Sequence, residues 1–267
     1  MQLFFYKAVM ERSKSKTSWE KVHAWYDKSV GDDGHYYHQH VVLPGVLKLL
    51  ELPKEDASIH LLDLACGNGV LANRIPARAQ YTGIDAAPSL IKAARNNDVV
   101  KHHTYLVGDI TQPLSVKQTD FTHAAIVLAV QNLEHPNRAF LNAAKHLQMG
   151  GKLVIAMNHP CFRIPRQSSW KVDEAQKLQF RRVDRYSTTM KIPIHTNPSK
   201  GSDSSTTWSF HHPLASYAQW LNAAGFAIDL LEEWHSDKLS TGKNAAMENR
   251  SREEIPLFLA IRAIKIK

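Results

Sequence analysis

The chain has 267 residues, 43% of them hydrophobic and 22% charged, an ordinary globular composition with room for one large α/β domain. Its two cysteines, Cys66 and Cys161, make neither a disulfide framework nor a zinc cluster. No apolar run reaches membrane-spanning length, and MQLFFYKAVM lacks the long apolar stretch of a signal peptide, so a cytoplasmic protein with no membrane insertion is expected. Lys and Arg number 33 against 25 Asp and Glu, a net charge of +8. That balance is compatible with nucleic acid, a membrane surface or an anionic small molecule, and selects none of them.

Residues 1–20 are mixed and basic. From Trp25 an aromatic and histidine-rich stretch, WYDKSVGDDGHYYHQH, leads into an apolar helix pattern from Val41 to Leu52, with Pro44 near its start. Strand-like runs follow at Ile59–Leu64, Gln80–Ile84, Thr104–Val107, Thr122–Val130 and Lys152–Met157. Helix-like runs sit between them at Gly69–Ile75, Ser89–Asn96 and Asn137–Leu147. This alternation predicts a parallel sheet with helices on both faces. Residues 160–213 break it. Rich in Arg, Pro, Ser and Thr, with KGSDSSTT at Lys200–Thr207, they read as an inserted substrate-cap segment without regular structure and with a mobile turn near Gly201. Leu214–Ala224 then reads as a helix ended by Gly225, and Phe226–Leu231 and Pro256–Ile264 as two closing strands. The expected organisation is an N-terminal helical lid (1–52), an α/β core (53–159), the inserted cap (160–213) and a C-terminal helix and strands completing the core (214–267).

The chemistry concentrates in LLDLACGNGVL. An apolar run ends in Asp63 and breaks into Ala65-Cys66-Gly67-Asn68-Gly69 before a helical pattern resumes. A strand, a glycine turn and a helix are how many α/β proteins grip a nucleotide-like cofactor. Asp85 closes the second strand and Asp109 follows the third. Ligands of open α/β sheets bind outside the carboxyl ends of the strands, so the three acids line one rim. A carboxylate at Asp63 repels a pyrophosphate but welcomes a cationic amino acid, which points to S-adenosylmethionine (SAM), with S-adenosylhomocysteine as product. Asp63 would lie near the methionine ammonium, directly or through backbone and water. Asp85, followed by Ala86, would accept the ribose hydroxyls, and Asp109, followed by Ile110, the adenine amino group. Gly67 and Gly69 let the backbone approach without a Cβ in the way. Gly67-x-Gly69-x-x-Ala72 also fits an NAD fingerprint, with Asp85 on its ribose. Asp63 would then face the pyrophosphate and Asp109 would have no role. Singly, these residues are ordinary turn glycines and helix-capping aspartates; the ordered set carries the reading.

That set resembles the class I SAM-dependent methyltransferases, in particular the small-molecule group that includes the ubiquinone/menaquinone C-methyltransferases. The Asp63-x-x-Cys66-Gly67-x-Gly69 turn, Asp85, Asp109 and a Met149-Gly150-Gly151 turn before the fifth strand carry the resemblance, over roughly Leu61–Met157. Similarity is weaker in HHPLASYAQWLNAAGF. The resemblance implies a Rossmann-like, mostly parallel seven-stranded sheet and a SAM-binding core at 53–159. It places Gln131 and Asn132 beside the cofactor or the reacting group. It also implies a lid in which Tyr36, Tyr37 and His38 fold over the cofactor, although the tyrosines read equally as packing residues.

Asn158–Trp170 leaves the same rim and is the expected substrate wall. Asn158, His159, Arg163, Arg166 and Trp170 are the candidates there, joined by Tyr36 and Tyr37. A guanidinium fork suits carboxylate or phosphate; Arg181, Arg182 and Arg185 read equally as solvated surface. Asn158-x-Pro160-x-Phe162 superficially resembles the tetrapeptide of amino-group methyltransferases. It follows the fifth strand rather than the fourth, however, and has His159 where that motif has proline. Cys161 lacks a second motif that would make it a nucleophile. The histidines lack the spacing and acid partners of a metal site, so no metal is expected. As proton acceptors, His159 ranks first, followed by His211 and His38. The expected function is methyl transfer from SAM to a small, anionic acceptor. A nucleic-acid acceptor is the alternative raised by the charge. It would show steep salt dependence, and no separate RNA-binding module is visible. A non-catalytic SAM-binding protein is the other alternative, which production of S-adenosylhomocysteine would rule out.

Overall fold

Side chains alternate across each strand of a seven-stranded sheet, and the alternation builds two cores. The computed structural model describes residue 20 and residues 35–53, 58–195 and 206–267. Strands β1 (His60–Leu64), β2 (Gln80–Asp85), β3 (Thr104–Val107), β4 (Phe121–Val127) and β5 (Leu147–Asn158) run parallel. Two hairpins follow, β6 (Ser168–Asp173) with β7 (Leu178–Val183), and β8 (Met190–His195) with β9 (Thr206–His211). The main sheet is completed by β10 (Phe226–Trp234) and β11 (Phe258–Lys265), with β11 antiparallel to both β10 and β5. The order across the sheet is β10-β11-β5-β4-β1-β2-β3. Helices are α1 (Leu43–Leu50), α2 (Pro88–Asn97), α3 (Pro136–His146), α4 (Leu214–Ala223) and α5 (Ala245–Glu254).

On one face, Leu61, Val154, Ala156 and Ala260 pack with Val46, Leu49 and Leu50 of α1 and Ile91 and Ala94 of α2. On the other, Leu62, Leu64, Leu153, Ile155 and Met157 pack with Phe140 and Ala143 of α3 and Tyr217 and Leu221 of α4. Each fully buried large aliphatic or aromatic side chain contributes roughly 1.5–3 kcal/mol. Period-2 alternation puts Asp63 on the first face with Leu61, so its carboxylate is carried inward at the strand's end. Among the described residues no helix is long and apolar enough to cross a membrane.

Several expectations change. Gly69–Ile75 is not a helix but a run of turns with a short 3-10 segment at Ala72–Arg74. Ile75 precedes Pro76 and is extended (ψ 160°), the conformation a following proline enforces. The N-terminal helix starts earlier than Val41, through a π-type turn at His38–Val42 that runs into α1. Strand four stops at Val127 because Leu128 turns into the left-handed region (φ 51°). The Met149–Gly151 turn is a bulge inside β5, between the Phe121–Leu147 and His123–Lys152 pairings. The stretch after β5 is not structureless. It forms two hairpins, of which β6–β7 sets Arg181 opposite Trp170 and Arg182 opposite Ser169, which an Arg-rich composition does not announce. The turn near Gly201 and residues 1–19 and 21–34 of the lid lie outside the described residues.

The glycine turn is held by packing as well as by backbone freedom. Gly69 has φ 83°, and a Cβ there would lie 3.1 Å from Ala94 Cβ and 3.3 Å from Tyr105 Oη. Gly69→Ala is expected to lower unfolding free energy by roughly 1–3 kcal/mol in urea titration; an unchanged midpoint would contradict this packing account.

Candidate functional site

The carboxyl ends of β1, β2 and β4 form a rim whose backbone is shaped by two left-handed residues, Ala65 (φ 63°) and Leu128 (φ 51°). Non-glycine residues in this region are uncommon and concentrate at functional sites. The turn after β1 is tied to the end of β2 from both sides. Cys66 N–H donates to the Ile84 carbonyl at 3.0 Å, and Gly67 N–H to Asp85 Oδ2 at 3.0 Å. Asp85 Oδ1 accepts from Ala87 N–H at 2.9 Å. Burial pushes the Asp85 carboxyl up, while the N–H groups of Ala87, Gly67 and Ala86 draw it back. Gly108 N–H donates to the Asp85 carbonyl at 2.9 Å, which sets the end of β3 beside that of β2.

Asp63 is only 2% exposed. Its Oδ2 accepts a hydrogen bond from the Tyr81 hydroxyl at 2.7 Å. Burial pushes its pKa up to about 7, with Tyr81 opposing and Asp85 adding. Cys66 lies in the same buried layer, and burial pushes its thiol far above the ordinary range, so it is neutral and unreactive. Beneath the turn, Tyr105 donates to Asp98 Oδ2 at 2.6 Å, and His103 Nδ1 lies 2.7 Å from the same oxygen. Asn68 is buried.

Asp109 is exposed, and its Oδ1 accepts from the Thr111 N–H and hydroxyl at 2.8 and 2.7 Å. Ile110 next to it is buried in the second core. Past β4, Gln131 donates from Nε2 to the Leu128 carbonyl at 2.7 Å, while its Oε1 is buried with no hydrogen-bond partner. Asn132 closes the short 3-10 turn through its N–H to the Ala129 carbonyl at 2.8 Å. Glu20 takes the Ser89 hydroxyl at 2.7 Å and its N–H at 3.3 Å at the start of α2.

The substrate-side candidates gather around the start of β11, which faces the end of β5 through the Phe258–Asn158 pairing. Tyr37 packs edge-on against Phe258 with ring centroids 5.7 Å apart, and Arg163 lies over the other side of this cluster, 5.2 Å from the Phe258 ring. Tyr36 and Tyr37 donate or share hydrogen bonds at 3.0 Å with Asp237 and Ser236, and Lys238 lies over both rings. Trp170 lies under Arg181 at 5.2 Å. Arg166 stands apart, exposed and with φ 62°.

The three candidate histidines differ. His159 is fully buried; its Nδ1 accepts from Cys161 N–H at 3.2 Å, which leaves the ring proton on Nε2 for Glu233 Oε1 at 2.7 Å. Both of its nitrogens are therefore engaged. His211 on β9 donates from Nε2 to the Tyr186 carbonyl at 2.6 Å, leaving Nδ1 as the lone-pair nitrogen, and burial lowers its pKa. β9 packs against the turn that carries Gln131. His38 is buried against His35, has an unpartnered Nδ1, and is pushed down to about 4 by burial and then by His35. Among the described residues no group of three or more His, Cys, Asp or Glu is placed to hold a metal ion.

Sequence reasoning missed Tyr81, Tyr105, Glu233 and the pairing role of Arg181. Tyr81 was within reach, since it shares β2's period-2 face with Gly83 and Asp85. Glu233 was not, because it meets His159 from 74 positions away.

Residues 62–155 match a family model described as a methyltransferase domain. The ubiquinone biosynthesis O-methyltransferase of Coxiella burnetii is 30% identical over 121 residues, which cover 44% of this chain and 51% of that protein. The enzyme of that name from Xanthomonas axonopodis is 27% identical over 135 residues, covering 49% and 55%. The chain thus spans about half the length of the curated relatives it matches. A crystal structure of an S-adenosylmethionine-dependent methyltransferase from Mesorhizobium loti superposes with a TM-score of 0.65 at 24% identity, covering 88% of this chain and all of that one. That likeness establishes the fold.

Asp63 gives a test that needs no ligand. In the unfolded chain its pKa is ~3.9, against about 7 when folded. Between these values the folded protein holds a proton that the unfolded chain has released, so stability falls as pH rises, by up to ~1.4 kcal/mol per pH unit. Asp63→Asn should unfold at a higher temperature than the parent at pH 8, with the gap closing toward pH 4. A gap independent of pH would show that Asp63 is not buried in this way.

Proposed function

We propose that this chain, whose core is a class I SAM-dependent methyltransferase domain, moves the methyl group of SAM to a small, anionic acceptor and leaves S-adenosylhomocysteine. The observation that carries the reading is the buried carboxylate of Asp63 beside that of Asp85, at the strand ends where the glycine turn opens. A pair of buried acids calls for a cation and for hydroxyl donors, and has no use for a pyrophosphate. The orphaned Gln131 Oε1 at the same rim calls for one more donor.

Asp63 would face the methionine ammonium and Asp85 the ribose hydroxyls. Gly67 would admit the cofactor backbone-first, and Asp109, through the oxygen not engaged by Thr111, would meet the adenine amino group. When bound, SAM supplies a methyl carbon on a sulfonium, a leaving group that needs no acid. The protein's own work is alignment and exclusion of water. The β8–β9 hairpin against the Gln131 turn, and Tyr36 and Tyr37 latched to Asp237 and Ser236, are the elements that close the site from above. An acceptor hydroxyl or acidic carbon gives up its proton as it takes the methyl group, and His211, whose Nδ1 keeps its lone pair, would receive it. His159, with both nitrogens engaged, positions the segment after β5 by linking it to Glu233 of β10. The quinone-pathway names of the curated relatives support a small-molecule acceptor.

Asp85→Ala is expected to weaken SAM binding roughly 10- to 100-fold in calorimetric titration, the range for hydrogen bonds to a charged group; unchanged affinity would contradict the cofactor reading. His211→Ala should lower the rate of S-adenosylhomocysteine formation about 100-fold with SAM affinity retained. His159→Ala should instead lower the unfolding temperature. The reverse pattern would exchange the two roles.

A further inference from the structure

Past β5, Arg181 reaches the Phe162 carbonyl next to Arg163, near enough for the two guanidinium charges to act on each other. Arg163 lies over Phe258 and makes one long hydrogen bond, from Nη1 to the Leu257 carbonyl at 3.4 Å. Arg181 lies over Trp170 and donates from Nε to the Phe162 carbonyl at 2.7 Å and from Nη2 to Ser168 Oγ at 3.0 Å. A guanidinium carries five N–H donors, and among the described residues Arg163 uses only the one bond. Among the described ion pairs neither arginine has an acidic partner, whereas Arg182 and Arg252 each have one and Arg262 has two. Acids on neighbouring segments are engaged, Glu233 by His159 and Asp237 by Tyr36. Burial depresses the pKa of both arginines, and the charge of Arg181 adds to the effect on Arg163. Adjacent, partly desolvated cations repel, and a bound anion relieves that cost.

We propose that Arg163 and Arg181 form a carboxylate receptor that holds the acid group of an aromatic acceptor. The proposal rests on the methyltransferase reading and gives it a substrate class. A planar fork stacked on a ring meets a planar carboxylate edge to edge. The half-buried ring of Tyr37 supplies an apolar wall for the ring that bears it. Position agrees. Arg163 follows β5 and lies over Phe258 of β11, and the order β11-β5-β4-β1 puts these strands two to three spacings, roughly 10–15 Å, from β1. That separation suits an acceptor anchored by its acid at one end and methylated at the other.

The test uses the full chain loaded with S-adenosylhomocysteine and titrated calorimetrically with benzoate, phenyl phosphate and benzyl alcohol. Benzoate should bind at least about tenfold more tightly than benzyl alcohol, and Arg163→Met and Arg181→Met should each lose about tenfold or more of that affinity. Affinity for S-adenosylhomocysteine should be unchanged in both variants. Methionine keeps an apolar stem over the ring, so a purely packing role for Arg163 would leave benzoate binding unmoved. Arg163→Lys, which keeps charge and stem but loses the fork, should fall between. Equal benzoate affinity in parent and variants overturns the receptor, as does tighter binding of phenyl phosphate than of benzoate. Binding of S-adenosylhomocysteine without any benzoate response also sinks the receptor and leaves the methyltransferase reading standing. Failure of S-adenosylhomocysteine itself to bind would overturn the reading on which both rest.

Discussion

A carboxylate buried at the end of a strand sets the terms for the rest of the rim. Asp63 is carried inward because it shares a face of β1 with Leu61, and its hydrogen bond from Tyr81 is a partial answer to the cost of its charge. Asp85 nearby makes that cost larger. Two acids kept in this position, with no ion pair to a base among the described residues, would be relieved by a charge that arrives from outside. The layer beneath is arranged accordingly. Tyr105, fixed by Asp98, fills the space under Gly69, and the Cys66 thiol stays neutral against the same acids.

The opposite end of the rim has the opposite sign. Past β5 the cations Arg163 and Arg181 stand on aromatic rings, and Lys238 stands over Tyr36 and Tyr37. β4 lies between β1 and β5, with the left-handed Leu128 and the unpartnered Gln131 Oε1 at its end. The proposed cationic donor on one side and anionic acceptor on the other would be brought into line across a polar backbone turn.

Much of this was legible before the fold was known, because the sheet is built from runs whose burial pattern is written in their composition. β1 to β5 were placed within a few residues, and Asp63, Asp85 and Asp109 fell at strand ends as expected. What could not be read has identifiable causes. α5 is polar all round and buries only Ser251, so no apolar stripe announces it. The β6–β7 hairpin is held by half-buried cross-strand pairs such as Trp170–Arg181, in a segment whose arginines and prolines look like loop. Helical character after Gly69 was promised by VLANRI and cancelled by Pro76. His159 ranks first as a proton acceptor from its place just past β5, and its hydrogen bond to Glu233 of β10 could not be read from the sequence. Long-range partners of this kind leave no local mark.

The account stands on Asp63 receiving a cation, and proton release measures that directly. At pH 6 Asp63, with a pKa of about 7, carries its proton in the free protein, and the SAM ammonium is fully charged. Binding should expel close to one proton, read from calorimetric titrations of SAM in buffers of different ionisation enthalpy. Asp63→Asn should expel none. Tight binding of SAM to the parent protein with no net proton release would contradict the claim.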